Sequence, residues 1–130
     1  MYNLLVTADE KVWENSSYIY DRSRFLEYTN DKISKEFEKL TENNIQIIKT
    51  LPCLFAYEGK NTDLYLGYIK SIKDRNNGKN LLIEFEIIKN IIIPFSSLSP
   101  LADLLDIRTW EMNRTHWAIK DDNLLDRLIS

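Results

Sequence analysis

The chain of 130 residues sets 17 Lys and Arg against 20 Asp and Glu, giving a net charge of −3 and an isoelectric point near 5.2. With 44% hydrophobic and 12% aromatic residues it has the composition of a globular chain with a real core, and one domain spanning residues 1–130 is expected. Its acidic balance offers no global positive field to displace counterions from a phosphate backbone, which disfavours general nucleic-acid binding; the longest apolar run, Ile91 to Phe95, is far short of the roughly 18–20 residues that cross a bilayer, so no membrane partner is expected.

Tyr2 to Thr7 reads as a short, mostly apolar strand that Asp9-Glu10-Lys11 ends with a charged turn. No basic region precedes it, so it does not read as a signal peptide, and a cytoplasmic protein is expected. Trp13 and Tyr18-Ile19-Tyr20 follow as an extended, aromatic-rich connection, a lid over one end of a core. Asp21 is a cap before Arg22 to Tyr28, and Thr29-Asn30-Asp31 restarts a helix with Ile33, Phe37 and Leu40 on one face. Thr41-Glu42-Asn43-Asn44 then caps a second helix carrying Ile45, Ile47, Ile48 and Leu51, favoured over a strand for the same Ile-rich run. Pro52 ends it, because the residue before a proline is pushed out of the α region.

Cys53 to Tyr57 reads as a buried strand and Glu58-Gly59-Lys60-Asn61 as a turn. The strongest local signal comes next. Apolar and polar residues alternate from Leu64 to Lys73 and again from Leu81 to Ile87, around Asn76-Asn77-Gly78, where Asn-Gly supplies the positive φ angles of a tight hairpin turn. Ile91 to Phe95 reads as a further strand, placed at an edge or strand end by Pro94. Ser96-Ser97 caps a short helical turn bearing Leu98, Leu101, Leu104 and Leu105. Ile107 to Lys120 reads as extended and partly strand, and Asp121 or Asp122 caps a final amphipathic helix from Asn123 to Ile129.

An isolated hairpin is marginal in water, so this one must pair with Cys53–Tyr57 on one side and with Ile91–Phe95 or the first strand on the other. The class that follows is α+β: a small, strongly bent antiparallel sheet or open β-barrel of four to six strands, with helices from residues 21–50 and a short C-terminal helix packed on it.

The chemistry-bearing residues are sparse. The segment from Trp110 to Lys120 holds the only histidine and two of the three tryptophans. A catalytic reading takes His116 as general acid or base, Arg114 as an anion clamp and Glu111 or Asp121 as the group that orients the imidazole. A lone histidine between tryptophans is more often a hydrogen-bonded packing residue, and that reading outweighs the first. Lys70, Lys73, Arg75 and Lys79 near Tyr65 and Tyr68 form a basic hairpin tip of the kind that holds single-stranded nucleic acid, yet Asp63, Asp74, Glu84 and Glu86 dilute it and the same charges keep an exposed hairpin unpaired. Trp13, Tyr18 and Tyr20 with Arg22 and Arg24 have the composition of a protein-contact surface and, equally, of a core closing over a barrel mouth. Cys53 in its apolar setting reads as a buried small hydrophobe. Three glycines cannot build a dinucleotide loop, no metal-ligand spacing occurs, and no cofactor is expected.

The expected function is therefore a small non-enzymatic module whose partner is another protein, an accessory or inhibitor subunit. The Ile- and Asn-rich, Ala-poor composition of 16, 12 and 4 residues points to the A/T-rich codons of a low-GC bacterium or its phage. An enzyme or nucleotide-handling domain built on His116, Arg114 and Glu111 is the first alternative, and nucleic-acid binding through the hairpin tip the second.

Overall fold

A computed structural model describes residues 1–59 and 62–129; Lys60 and Asn61, in the second half of the turn expected after Tyr57, lie outside them. Six strands, β1 (Tyr2–Thr7), β2 (Ser17–Asp21), β3 (Cys53–Tyr57), β4 (Leu64–Arg75), β5 (Asn80–Ile93) and β6 (His116–Lys120), form one sheet in the order β2-β5-β4-β3-β1-β6. Helices α1 (Asp31–Phe37), α2 (Glu42–Thr50), α3 (Phe95–Leu98) and α4 (Leu124–Ile129) complete the α+β fold. The sheet curls strongly into a half-barrel. Across its concave side the Tyr20 hydroxyl of edge strand β2 donates to the Val6 carbonyl of β1 at 2.9 Å, although three strands separate the two in the sheet.

The helix starts follow from their caps. The Asn30 side chain accepts the Lys32 amide ahead of α1, and the Thr41 hydroxyl accepts the Asn44 amide ahead of α2. Asp21 caps only a single 3-10 turn, Arg22–Arg24, which stops where Leu26 and Tyr28 take positive φ of 72° and 55°. That backbone cost is offset at the sheet edge. The Leu26 amide donates to the Trp117 carbonyl at 2.6 Å, and the Ile119 amide donates to Thr29 Oγ1 at 3.1 Å, so the chain from 25 to 29 covers the free side of β6.

One pairing departs from the antiparallel pattern: β1 and β3 run parallel, Leu5 opposite Phe55, because the long connection between them crosses over through α1 and α2. Tyr18-Ile19-Tyr20, read from sequence as a connection, is instead strand β2 and supplies the hairpin's outer partner, with Tyr18 opposite Ile83. Ile91 to Phe95 is no separate strand. Residues 91 to 93 extend β5, and Pro94 is the N-cap of α3.

The hairpin itself contains a large irregularity. Tyr65 faces Ile92 while Gly67 faces Ile87, so Leu66 stands opposite all of residues 88–91. Gly67 permits this, since a Cβ there would lie 2.0 Å from the Glu86 carbonyl oxygen. At the tip Asn76, Asn77 and Gly78 all take positive φ, as a tight turn requires.

Two cores lie on the two faces of the sheet. Leu5, Phe37, Ile48, Phe55, Phe85 and Trp117 centre the one under α1 and α2; Tyr2, Leu4, Leu54, Leu98, Leu105 and Leu124 centre the other, under α3, α4 and the turns between them. Every residue of β1 and β6 is buried in consequence, polar ones included. Asn3 shows how polar groups are accommodated there: its Oδ1 accepts from the Trp117 indole at 3.0 Å and its amide nitrogen donates to the Ile48 carbonyl at 3.4 Å. Among the described residues no buried side-chain nitrogen or oxygen lacks a partner.

Candidate functional site

Strand β6 and the 3-10 turn Thr109–Asn113 before it bring His116, Glu111 and Lys120 together. His116 Nε2 lies 2.9 Å from Glu111 Oε2, and Lys120 Nζ donates to Glu111 Oε1 at 3.0 Å and to the Tyr28 carbonyl at 2.7 Å. The Arg108 amide donates to the same Oε1 at 2.7 Å, which closes the turn, and His116 Nδ1 sits 2.6 Å from the Arg114 carbonyl oxygen. Both ring nitrogens thus face oxygens. Burial, the largest single influence on Glu111, raises its pKa. The hydrogen bond from His116, the charge of Lys120 and the Arg108 amide outweigh that and hold the carboxyl below its usual 4.5.

This cluster is sealed. The side chains of His116 and Glu111 are 0% exposed and that of Lys120 1%. A general acid or base must come within hydrogen-bond reach of a substrate proton, and here no face of the imidazole meets solvent. Arg114 does not join the pair: its guanidinium points outward to Glu27, 3.2 Å away, while only its carbonyl contacts His116. The three residues expected to converge in a cleft form a buried joint and a surface ion pair, so what the arrangement does chemically is fasten β6 to the preceding turn and to Tyr28.

The aromatic surface expected in the N-terminal third is likewise interior. Trp13 is 4% exposed, with its indole donating to the Ala56 carbonyl at 2.7 Å and its ring against Phe55 and Phe85; Tyr20 is 1% exposed. Tyr18 is half-buried, its ring edge on Tyr20 and its hydroxyl accepting from Thr7 Oγ1. Arg22 is tied to the Glu38 carbonyl, Asp74 and the Phe25 ring, and Arg24 to Glu27. Of the two sequence readings of this stretch, the geometry matches the closing core, because the sheet curls over these rings.

Lys70, Lys73, Arg75 and Lys79 are exposed on the hairpin, with Lys70 3.9 Å from Glu86 and Asp74 engaged by Arg22. They form an alternation of signs and not a continuous basic face.

The feature that sequence reasoning passed over lies on the segment from α3 to the 3-10 turn. Trp110 is 57% exposed and Leu104 51%, and the Arg108 guanidinium lies 5.7 Å from the centre of the Trp110 ring. Concave surface runs alongside. A cleft of about 200 Å³ walled by Phe95, Leu98, Ile107 and Met112, with Ser99 and Asp103 also lining it, shares Asp103 and Ile107 with a second depression at Trp110, which shares Asp106 and Arg108 with a third, polar one reaching Asn30 and Asp31. Trp110 stood in view in the sequence, but nothing local distinguishes it from Trp117, which is 0% exposed.

Among the described residues no helix is long and apolar enough to cross a membrane. The fold and this surface define a curled-sheet α+β protein with a sealed polar joint and one exposed tryptophan groove. No protein-family model, curated protein or solved structure matches the chain.

Proposed function

We propose that this chain is a non-enzymatic protein-interaction module, an accessory or inhibitor subunit, in the bacterial or phage setting suggested by its composition. The observation that carries the reading is the exposed Trp110 with Arg108 stacked over it and Leu104 nearby in sequence, also exposed. Tryptophan and arginine are the side chains that most often anchor protein interfaces, and a largely exposed tryptophan loses apolar area to water unless something covers it. The burial of His116 and Glu111 supports the same reading by leaving the enzymatic alternative built on His116, Arg114 and Glu111 without an accessible imidazole.

Capture of the tagged protein from a nuclease-treated lysate of its source, with the parent and with Trp110→Ala and Leu104→Ser, tests it. A stoichiometric protein retained by the parent and lost from both variants supports the reading. Equal retention by the variants refutes this surface as the interface. Nucleic-acid binding through Lys70, Lys73, Arg75 and Lys79, which are exposed on the hairpin, is the second reading, and the interspersed acids count against it. A Lys73→Glu/Arg75→Glu variant would then lose salt-sensitive binding, and no binding by the parent at low salt ends that alternative.

A further inference from the structure

The three depressions along residues 95–110 share lining residues in sequence, Asp103 and Ile107 and then Asp106 and Arg108, so they adjoin one another as a grooved surface with two chemically different ends. One end is walled by the apolar side chains of Phe95, Leu98, Ile107 and Met112, with Ser99 and Asp103 also lining it. The other is polar and lies between Asn30–Asp31 and Asp106. Trp110 stands between them.

Charge decides what fits. Asp31, Asp103 and Asp106 line the groove against the single guanidinium of Arg108, and all three carboxylates are exposed. None of them has an ion-pair partner among the described residues, as is also true of the exposed Glu36, Glu38 and Asp121; what sets these three apart is that they line adjoining concave surface. An apolar cleft followed by unpaired carboxylates is complementary to a segment carrying an apolar anchor and, a few residues away, lysine or arginine. An acidic segment would meet like charge along the same path.

We infer that this groove docks a basic peptide segment of a partner protein, its apolar side chain entering the cleft beside Met112 and its cations reaching Asp103, Asp106 and Asp31 across the Trp110 ring. The inference rests on the protein-interaction reading above and names the chemistry of the partner.

The test uses the intact protein and three labelled synthetic peptides of about 12 residues, a length suited to a surface groove. The first has a Leu-Phe pair flanked by lysines, the second the same pair flanked by glutamates, and the third lysines with serine in place of Leu-Phe. Fluorescence anisotropy should show saturable binding of the first only, weakened about tenfold by Trp110→Ala and about tenfold by Asp103→Lys/Asp106→Lys, and weakened again as salt rises. A Glu84→Lys/Glu86→Lys variant changes the net charge equally but lies on the hairpin, and it should bind as the parent does; circular dichroism confirms that each variant is folded. Absence of saturable binding by the first peptide, equal binding of the glutamate peptide, or equal weakening by the hairpin variant would each overturn the inference. If the cellular partner is released by Trp110→Ala but not by Asp103→Lys/Asp106→Lys, the interaction reading stands and the basic-segment inference falls. If neither variant releases it, both fall.

Discussion

Replacing Glu111 with glutamine removes one negative charge from a sealed polar cluster while leaving its shape almost unchanged. The amide oxygen can still accept from Lys120 and the Arg108 amide, and the amide nitrogen can donate to His116 Nε2, so hydrogen bonding is nearly conserved. What disappears is, among the described residues, the only carboxylate paired with Lys120, whose side chain is 1% exposed and otherwise held by the Tyr28 carbonyl. Breaking a buried ion pair from one side costs about 3–5 kcal/mol, because the remaining charge is left desolvated and uncompensated, and whole domains are stable by only about 5–15 kcal/mol. With a urea m-value of about 1.5 kcal/mol/M, the Glu111→Gln midpoint should fall by about 2–3 M, followed by tryptophan fluorescence at pH 7. Adding Lys120→Met to this variant removes the orphaned charge and should recover most of the loss. A midpoint shift corresponding to under about 1 kcal/mol, or no recovery in the double variant, would refute the view that charge compensation holds this joint together.

Four further outcomes are expected. Because the Glu111 carboxyl is held below its usual 4.5 in the fold, it stabilises the protein above the unfolded value, and that contribution is lost as pH falls through the lower folded value; acid titration should show a plateau above about pH 5 and a decline below it, shallower in Glu111→Gln. Gly67→Ala places a Cβ against the Glu86 carbonyl and should cost about 3 kcal/mol, read as a lowered melting temperature, whereas an unchanged melt would mean that the hairpin irregularity is not required. Trp13→Ala should destabilise by about 3–5 kcal/mol in urea, as for a large buried ring, with no selective loss of partner binding in the fraction that stays folded. Burial pushes the Cys53 thiol up to about 12, so a disulfide reagent at pH 8 should leave the native protein unmodified and react at once in denaturant.

Short-range rules carried much of the fold. The Asn76-Asn77-Gly78 turn, the Asn30 and Thr41 caps, the stop at Pro52 and the buried strand at Cys53 each depend on residues within a few positions of one another, and each is found as expected. The same rules could not show that Gly67 lets four residues stand opposite one, since that requires the backbone of Glu86 from the partner strand.

Composition and local pattern by themselves pointed to an α+β protein around a long hairpin, with helices from residues 21–50 and a short one at the C-terminus; of the first stretch, only residues 31–50 hold α-helices and Arg22–Arg24 form a 3-10 turn. The tertiary structure alone decided which side chains are available. His116 is sealed by Glu111 and Tyr28, Trp117 by Asn3 and Phe25, and Tyr2 bonds the Leu105 carbonyl from the far end of the chain. Burial is a property of everything that folds over a residue, and in a sheet whose first strand lies between its third and sixth, those neighbours come from distant sequence. Trp110 and Trp117 stand seven positions apart, one on the surface and one in the core, because only the second lies in a strand covered on both faces.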